Sequence, residues 1–208
     1  MQPALVQITK PAVPVVAGEE AARRLGLDIA VAPLLVPMLA AAEQTLDGPA
    51  GLLGRALVSQ QWEMYFTDST FPGGAITIPL PPLLSVDSLE CEDGSGEFLV
   101  VDPQNYKIWP GEPAKILPNG WRIPPFSCLR LRFTCGYGPA GTDVPEPIRQ
   151  AIVMKAAFQR SMSRDDPQLR SETVDGVGTQ TWAVSDVVGT AYEKAALALV
   201  SGYRMPVL

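Results

Sequence analysis

The sequence predicts an α+β fold in which helices flank a mainly antiparallel β module, and three observations point to it. Before residue 48 and after residue 144, apolar side chains recur at helical spacing. Between residues 57 and 138 the spacing changes to alternation. The strand candidates there are joined by connections too short for crossover helices, which excludes a parallel sheet with helices on both faces.

The first helix is expected over residues 18–25, with Glu19 and Glu20 in its first turn and Arg23 and Arg24 in its last. That order complements the helix dipole, and Gly26 stops it. A second helix is expected over residues 33–47. Leu35, Leu39, Ala42 and Leu46, flanked by Leu34 and Met38, form its apolar face, with Glu43, Gln44 and Asp47 opposite. Pro33 suits a first turn, whereas Pro37 kinks the helix or delays its start. Gly48-Pro49 ends it.

In the middle, Val58, Trp62, Met64 and Phe66 alternate with Ser59, Gln61, Glu63 and Thr67, and Gln60 breaks the pattern. Further strands are expected over residues 75–78, 86–92, 97–101, 106–109, 114–117 and 128–135. In the last, Leu129, Leu131 and Phe133 face one way and Arg130, Arg132 and Thr134 the other, the mark of a sheet with one buried and one wet face. Residues 79–82, Pro-Leu-Pro-Pro, read as an extended connector.

A third helix begins after Val144, with Pro145 or Pro147 and Glu146 in its first turn, and runs to Arg164. Ile148, Ala151, Ile152, Met154, Phe158 and Met162 make its apolar arc. Lys155 and Gln159 fall inside that arc, which fits either a polar contact across a subunit interface or a helix packed from two sides. Residues 165–167 stop it. Residues 171–181, polar and containing Gly, read as a loop or mobile arm. A last helix covers residues 190–200 with Thr190 as N-cap, and residues 201–208 are too short to fold alone.

The 208 residues suit one domain, or one with a sizeable insertion. A hydrophobic share of 47% supports a core, while 18% charged residues leaves a surface poor in charge, as at an interface between subunits. A net charge of −6 argues against a protein that grips nucleic-acid phosphates, though not against one through which DNA passes. There is no histidine, which removes the commonest general base and metal ligand. Cys91, Cys128 and Cys135 lack metal or redox spacing, and the last two point to opposite faces of one strand, so free thiols are expected. No signal peptide is expected at the start, and residues 29–42 are too short and too Pro-broken to span a bilayer, so the protein reads as cytosolic in origin. Glu90, Glu92 and Asp93 around Gly94-Ser-Gly96 read as hairpin solvation rather than a metal or acid–base site. The glycine pairs lack a phosphate-cradle fingerprint, and no G-x-S-x-G occurs. Core packing accounts for the four tryptophans better than a carbohydrate platform does. No catalytic site, metal or cofactor is expected.

Several short motifs follow one another in a particular order. Glu19-Glu-Ala-x-x-x-Leu and an Ala-rich helix ending Glu43-Gln-Thr-Leu46 precede Gly54-Arg-Ala-Leu-Val-Ser-Gln-Gln-Trp62. Ile76-x-Ile-Pro-Leu-Pro-Pro82, Leu84-Ser-Val86 and Asp102-Pro-x-x-Tyr106 follow. Phe133-x-x-Gly-Tyr-Gly138 leads to Val144-Pro-Glu-Pro-Ile-Arg-Gln-Ala-Ile152, and the chain closes with Ala198-Leu-x-x-x-x-Tyr203-Arg204. In this order they resemble the head–tail connector, or adaptor, proteins of long-tailed bacteriophages and related gene transfer agents. The chain departs from the family's pattern at Pro33 and Pro37 and in residues 171–186.

The resemblance implies a helical bundle carrying an inserted β module, with an extended C-terminal arm. The boundaries would be residues 1–56 and 141–170 for bundle helices, 57–140 for the module and 171–208 for the arm. It further implies a virion location at the head–tail junction, after synthesis in the bacterial cytoplasm. Such proteins form twelve-fold homo-oligomeric rings between the portal protein and a stopper or tail-completion protein, and DNA passes through them without sequence-specific binding or membrane contact. The arm would dock on the portal through Trp182, Tyr192, Leu197 and Leu199, with Tyr203 and Arg204 fixing its end, unless its helix folds back onto its own bundle. Lys155 and Gln159 would lie at a subunit interface. The alternative is a stand-alone carbohydrate- or peptide-binding β module, which would be a monomer with an aromatic cleft.

Overall fold

The computed structural model describes residues 3–67, 74–120, 128–164, 171–174, 178–181 and 186–205. They fall into two compact units, one of residues up to Val15 and 46–144, the other of residues 16–45 and from Pro145 onward. Residues up to Val15 and 46–56, expected with the helices, therefore group with the strands.

The β unit contains β1 (Ala4–Thr9), β2 (Gln60–Thr67), β3 (Ile76–Thr77), β4 (Leu83–Glu92), β5 (Phe98–Val100), β6 (Tyr106–Trp109), β7 (Lys115–Pro118) and β8 (Cys128–Cys135). One antiparallel sheet has the order β1-β2-β8-β4-β5, and a second has the order β3-β7-β6. The register follows the alternation in the sequence. On the inner face Trp62 lies opposite Phe133, Met64 opposite Leu131 and Phe66 opposite Leu129, while Leu89 of β4 faces Leu131 from the other side. Ile76, Ile78, Ala114 and Ile116 complete this core from the smaller sheet and its connections. A one-residue slip of β8 would turn four buried side chains outward and bring Arg130, Arg132 and Thr134 inward, so burial fixes the register.

Four expectations need correction here. β1 had no counterpart: it is an edge strand with Val6 and Ile8 exposed and Leu5 and Gln7 half-buried on the inner side, so its apolar residues do not alternate with polar ones. The first central strand begins at Gln60, and Gln60 shares the inner parity of Trp62, Met64 and Phe66 rather than breaking it. Val58 precedes the strand and bridges to Gly138. The 79–82 connector bends, because buried Leu80 adopts a left-handed φ of 60°.

The Gly136-Tyr-Gly138 segment is structural. Gly136 has φ 126°, and a Cβ there would lie 2.7 Å from the Val58 carbonyl carbon and oxygen. Only glycine admits this approach, which lets the Gly136 N–H reach the Pro82 carbonyl (2.9 Å) and the Tyr137 N–H reach that of Leu57 (2.9 Å).

The other unit contains α1 (Gly18–Arg24), α2 (Ala32–Gln44), α3 (Glu146–Arg164), β9 (Ser171–Val174), β10 (Gly178–Thr181) and α4 (Asp186–Val200). α1 packs on α2, and α3 packs with both α2 and α4. Its buried side chains include Ala21, Ala22, Leu35, Leu39 and Ala42 from the first two helices, Ile148, Ala151, Ile152 and Ala156 from α3, and Ala196 and Val200 from α4. α2 starts at Ala32 and runs through Pro37, so that proline does not delay it. The segment expected as a loop forms the β9–β10 hairpin, pairing Ser171 with Thr181 and Val174 with Gly178. Its Thr and Val residues are the strand formers that a polar composition concealed. α4 begins at Asp186, so Thr190 lies inside the helix and is not its N-cap.

Candidate functional site

On the outer face of the five-stranded sheet the polar side chains are matched in cross-strand pairs. The Arg130 guanidinium pairs with Glu90 (Nε to Oε2, 2.7 Å) and lies 4.4 Å over the Phe98 ring. Glu90 is thus a buried ion-pair partner, not hairpin solvation. Arg132 Nε donates to Glu63 Oε1 (2.9 Å), and the Tyr65 hydroxyl donates to Glu63 Oε2 (2.8 Å). Asp87 accepts from Gln61 (2.9 Å), Ser85 (2.7 Å) and Thr134 (2.8 Å). Burial alone would raise the Glu63 carboxyl, but the bonds from Arg132 and Tyr65 and the nearby charges of Arg132 and Arg130 hold it below its ordinary value. Such a group is a fixed anion at neutral pH rather than an acid–base catalyst.

This predicts a pH signature. Because folded Glu63 titrates below its ordinary value, its stabilisation is present above that value and fades as the pH falls through the depressed one. Glu63→Gln should cost about 1–3 kcal/mol at neutral pH. Denaturant titrations at decreasing pH should show the gap to wild type closing.

Asp47, expected on the polar face of the second helix, instead lies beyond it and organises the start of β2. Its Oδ1 accepts from the Leu57 N–H (2.7 Å) and from Gln60 Nε2 (3.1 Å). Gln60 Oε1 in turn accepts from Gln7 Nε2 (2.6 Å) and Trp62 Nε1 (3.2 Å). The buried amide of Gln60 is therefore satisfied on both sides. Burial pushes the Asp47 carboxyl up, opposed by its bonds from Leu57, Gln60 and Gly48. Asp47→Ala would strand two donors and should cost about 2–3 kcal/mol in urea denaturation, whereas Asp47→Asn, which keeps an acceptor, should cost less.

Cys91, Cys128 and Cys135 form no disulfide with one another. Burial, with the charges of Asp47 and Asp87, pushes the Cys135 thiol up to about 12, so it is no nucleophile at neutral pH. The described residues contain no group of three or more His, Cys, Asp or Glu placed to hold a metal. Of the tryptophans among them, Trp62 is buried and Trp109 exposed, and one exposed ring does not make a stacking platform.

In the helical unit an ion network ties α1 to α3. Arg24 reaches Glu20 and Glu146, and Arg149 reaches the same two carboxylates. The hydrogen bond from Arg24 is the main influence lowering the Glu146 carboxyl. These charges are matched and fasten helices together.

What stands out on this unit is apolar surface. Along residues 192–200 of α4 only Ala196 and Val200 are buried, while Tyr192, Leu197 and Leu199 are exposed. Arg204 is exposed just beyond the helix and Tyr203 is half-buried. Trp182 lies outside the described residues. The structure thus brings Tyr192, Leu197, Leu199 and Arg204 to the surface of one helix and the turn after it, on a helix that packs with α3. Lys155 and Gln159 are half-buried on α3, which has α2 and α4 as packing partners. The second apolar surface, on α2, was not singled out: Leu34 and Val36 are exposed although the helix also fills the core with Leu35 and Leu39. The available signal was the lack of any charge from Ile29 to Ala42.

No protein-family model and no curated protein matches the chain. Solved structures do. The chain is similar, with a TM-score of 0.70 and 21% identity over 99% of its length and 97% of the other chain's, to a chain in the neck of an empty gene transfer agent (GTA) particle computed with C6 symmetry. It is similar to a chain in the virion of a native GTA particle at a TM-score of 0.67 and 22% identity, covering 98% and 97%. A chain in the neck of a native GTA particle computed with C12 symmetry matches at 0.61 and 24%, covering 99% and 97%. The fold is therefore shared along nearly the whole of both chains.

Proposed function

We propose that this chain is a structural protein of the head–tail junction of a virion or virus-like particle. In this reading it is a ring-forming adaptor that joins the capsid portal to the stopper or tail, and DNA passes through its channel. The observation that carries the reading is the end-to-end likeness to a chain of a particle neck, at a TM-score of 0.70 over 99% of this chain. Coverage of both units makes a borrowed module a poorer explanation than a common role. The surface agrees with it. Polar groups on the sheet are paired with one another, apolar side chains lie exposed on helices, and the net charge of −6 suits a channel that must not hold DNA. In this reading the role is structural: Glu63, Glu90 and Asp87 are each held by partners on the sheet, and burial pushes the Cys135 thiol up.

In this reading the C-terminal arm meets the portal through Trp182, Tyr192, Leu197, Leu199, Tyr203 and Arg204. Negative-stain microscopy of the purified protein mixed with its portal tests the proposal. Rings seated on the portal are expected; a protein that stays monomeric and unbound would sink it.

A further inference from the structure

The five-stranded sheet ends in two edges, β1 and β5, and among the described residues no further strand pairs with either. A sheet edge offers a row of unpaired backbone N–H and C=O groups, and proteins that stay monomeric blunt it with charged side chains or proline. Neither strand here carries them: Ala4–Thr9 and Phe98–Val100 contain no charged residue and no proline. β1 has one irregularity, between Gln7 and Thr9, which leaves Ala4 to Gln7 in regular register. The side chains are also placed the wrong way round for edges that end in water. Residues opposite one another on paired strands share a face. On the outer face the middle strands carry the paired groups Glu63, Arg132, Arg130 and Glu90. At its rims that face is apolar: Ala4 and Val6 lie opposite Tyr65 and Glu63, and Phe98 and Val100 lie opposite Glu92 and Glu90. Val100 is 69% exposed and Val6 46%. On the inner face Leu99 is 57% exposed, and Leu5 is half-buried. A sheet polar in its centre and apolar at both rims is built to continue into another sheet.

The two edges belong to opposite sides of one sheet and run in the same direction, because the pairings β1–β2, β2–β8, β8–β4 and β4–β5 are all antiparallel. In a ring of six or more copies, neighbours are related by a rotation of about 60° or less, so strand direction is largely kept from one copy to the next. The β5 edge of one copy then meets the β1 edge of the next as a parallel pair, whereas two like edges meeting about a two-fold axis would be antiparallel. Parity sets the register. Leu99 faces inward and needs an inward neighbour on β1, and of Leu5 and Gln7 only Leu5 is apolar, while Gln7 is engaged by Gln60. That register puts Phe98 beside Ala4, Leu99 beside Leu5 and Val100 beside Val6, so every apolar side chain of β5 gains an apolar neighbour.

We infer that β5 of one copy pairs in parallel with β1 of the next, Phe98–Val100 alongside Ala4–Val6, so that the sheets of a ring join edge to edge. Contact between two different edges of one chain is head-to-tail, the kind that closes into a ring. The inference rests on the ring reading and gives it a surface in the β unit, on strands that the portal contact does not use. Three paired residues hold two free copies only weakly, so the pairing belongs where copies are already gathered, in rings seated on the portal.

Cysteine crosslinking of the full chain mixed with its portal tests it. Strands about 4.8 Å apart bring directly paired residues within disulfide reach, while an offset of two residues separates them by about 8 Å, beyond it. The double variant Val6→Cys/Val100→Cys changes two exposed side chains, and its circular dichroism should match wild type. On oxidation its rings should give a ladder of covalent dimers, trimers and larger species on a non-reducing gel. Each single variant should give none, which also controls for the native cysteines. Ala4→Cys/Val100→Cys, which come together only if the strands run in opposite directions, should give none either. Rings seen by microscopy with no ladder from Val6→Cys/Val100→Cys overturn the inference and leave the ring reading standing. A ladder from Ala4→Cys/Val100→Cys overturns the parallel pairing, and dimers from Val100→Cys alone mean that two β5 edges meet instead. If no ring forms on the portal, the ring reading falls and this pairing falls with it.

Discussion

Phe133→Ala should cost the β unit about 3–5 kcal/mol, the range for removing a large aromatic side chain from a closed core. Phe133 is fully buried on β8, the middle strand of the larger sheet, with Trp62 opposite it on β2 and Val86 on β4. Both neighbours are held by antiparallel pairing, uninterrupted on the β2 side, and the interior around Phe133 is closely packed, so the void is not filled by relaxation. The cost then contains a cavity contribution as well as the lost transfer free energy. In urea denaturation the midpoint should fall while the slope stays that of wild type, because the surface exposed on unfolding hardly changes. A loss below about 1 kcal/mol would mean that the two sheets do not enclose this side chain as described.

β8 shows why part of this fold could be read directly from residues. Its alternation of Leu129, Leu131 and Phe133 with Arg130, Arg132 and Thr134 is a local signal, and the register with β2 follows from it, whereas β4 shifts register twice along the same strand. Gln60 shows where local reading stops. A buried amide looks like a break in an apolar pattern, and the partner that makes its burial tolerable, Asp47, lies on another segment and was assigned to a helix. β1 was missed because its inner side carries Leu5 and the polar Gln7 while apolar Val6 and Ile8 face outward, which leaves no apolar period to detect. The β9–β10 hairpin was missed because Gly and polar residues signal turns as strongly as they allow strands.

A charge-poor composition points to interfaces, and on the last helix Tyr192, Leu197 and Leu199 are exposed. The outer face of α2 was not found, because a helical wheel gives the angle of an apolar side chain but not what covers it. Once Leu35, Leu39 and Ala42 are seen to fill the core, Leu34 and Val36 are left over, and that surplus appears only in three dimensions.

Deleting residues 171–208 should leave a folded protein that yields capsids without tails. Within residues 192–205 the segment contributes only Ala196 and Val200 to the buried core. Burying two small side chains is worth about 2–3 kcal/mol, less than the roughly 5–15 kcal/mol stability of a typical domain. The function should suffer far more, because the deletion removes every apolar anchor proposed to meet the portal. Because the deletion removes a whole segment, a point variant gives the second test. Leu197→Glu serves: Leu197 is 43% exposed. Its stability should stay within about 0.5 kcal/mol of wild type. If the helix docks on the portal, this variant should form rings in solution yet give few tailed particles when purified capsids are counted by electron microscopy. Normal tailing with either variant sinks the docking idea. Should the truncated chain unfold, α4 serves to complete its own helical unit, and the tailing of Leu197→Glu particles alone decides whether it also holds the portal.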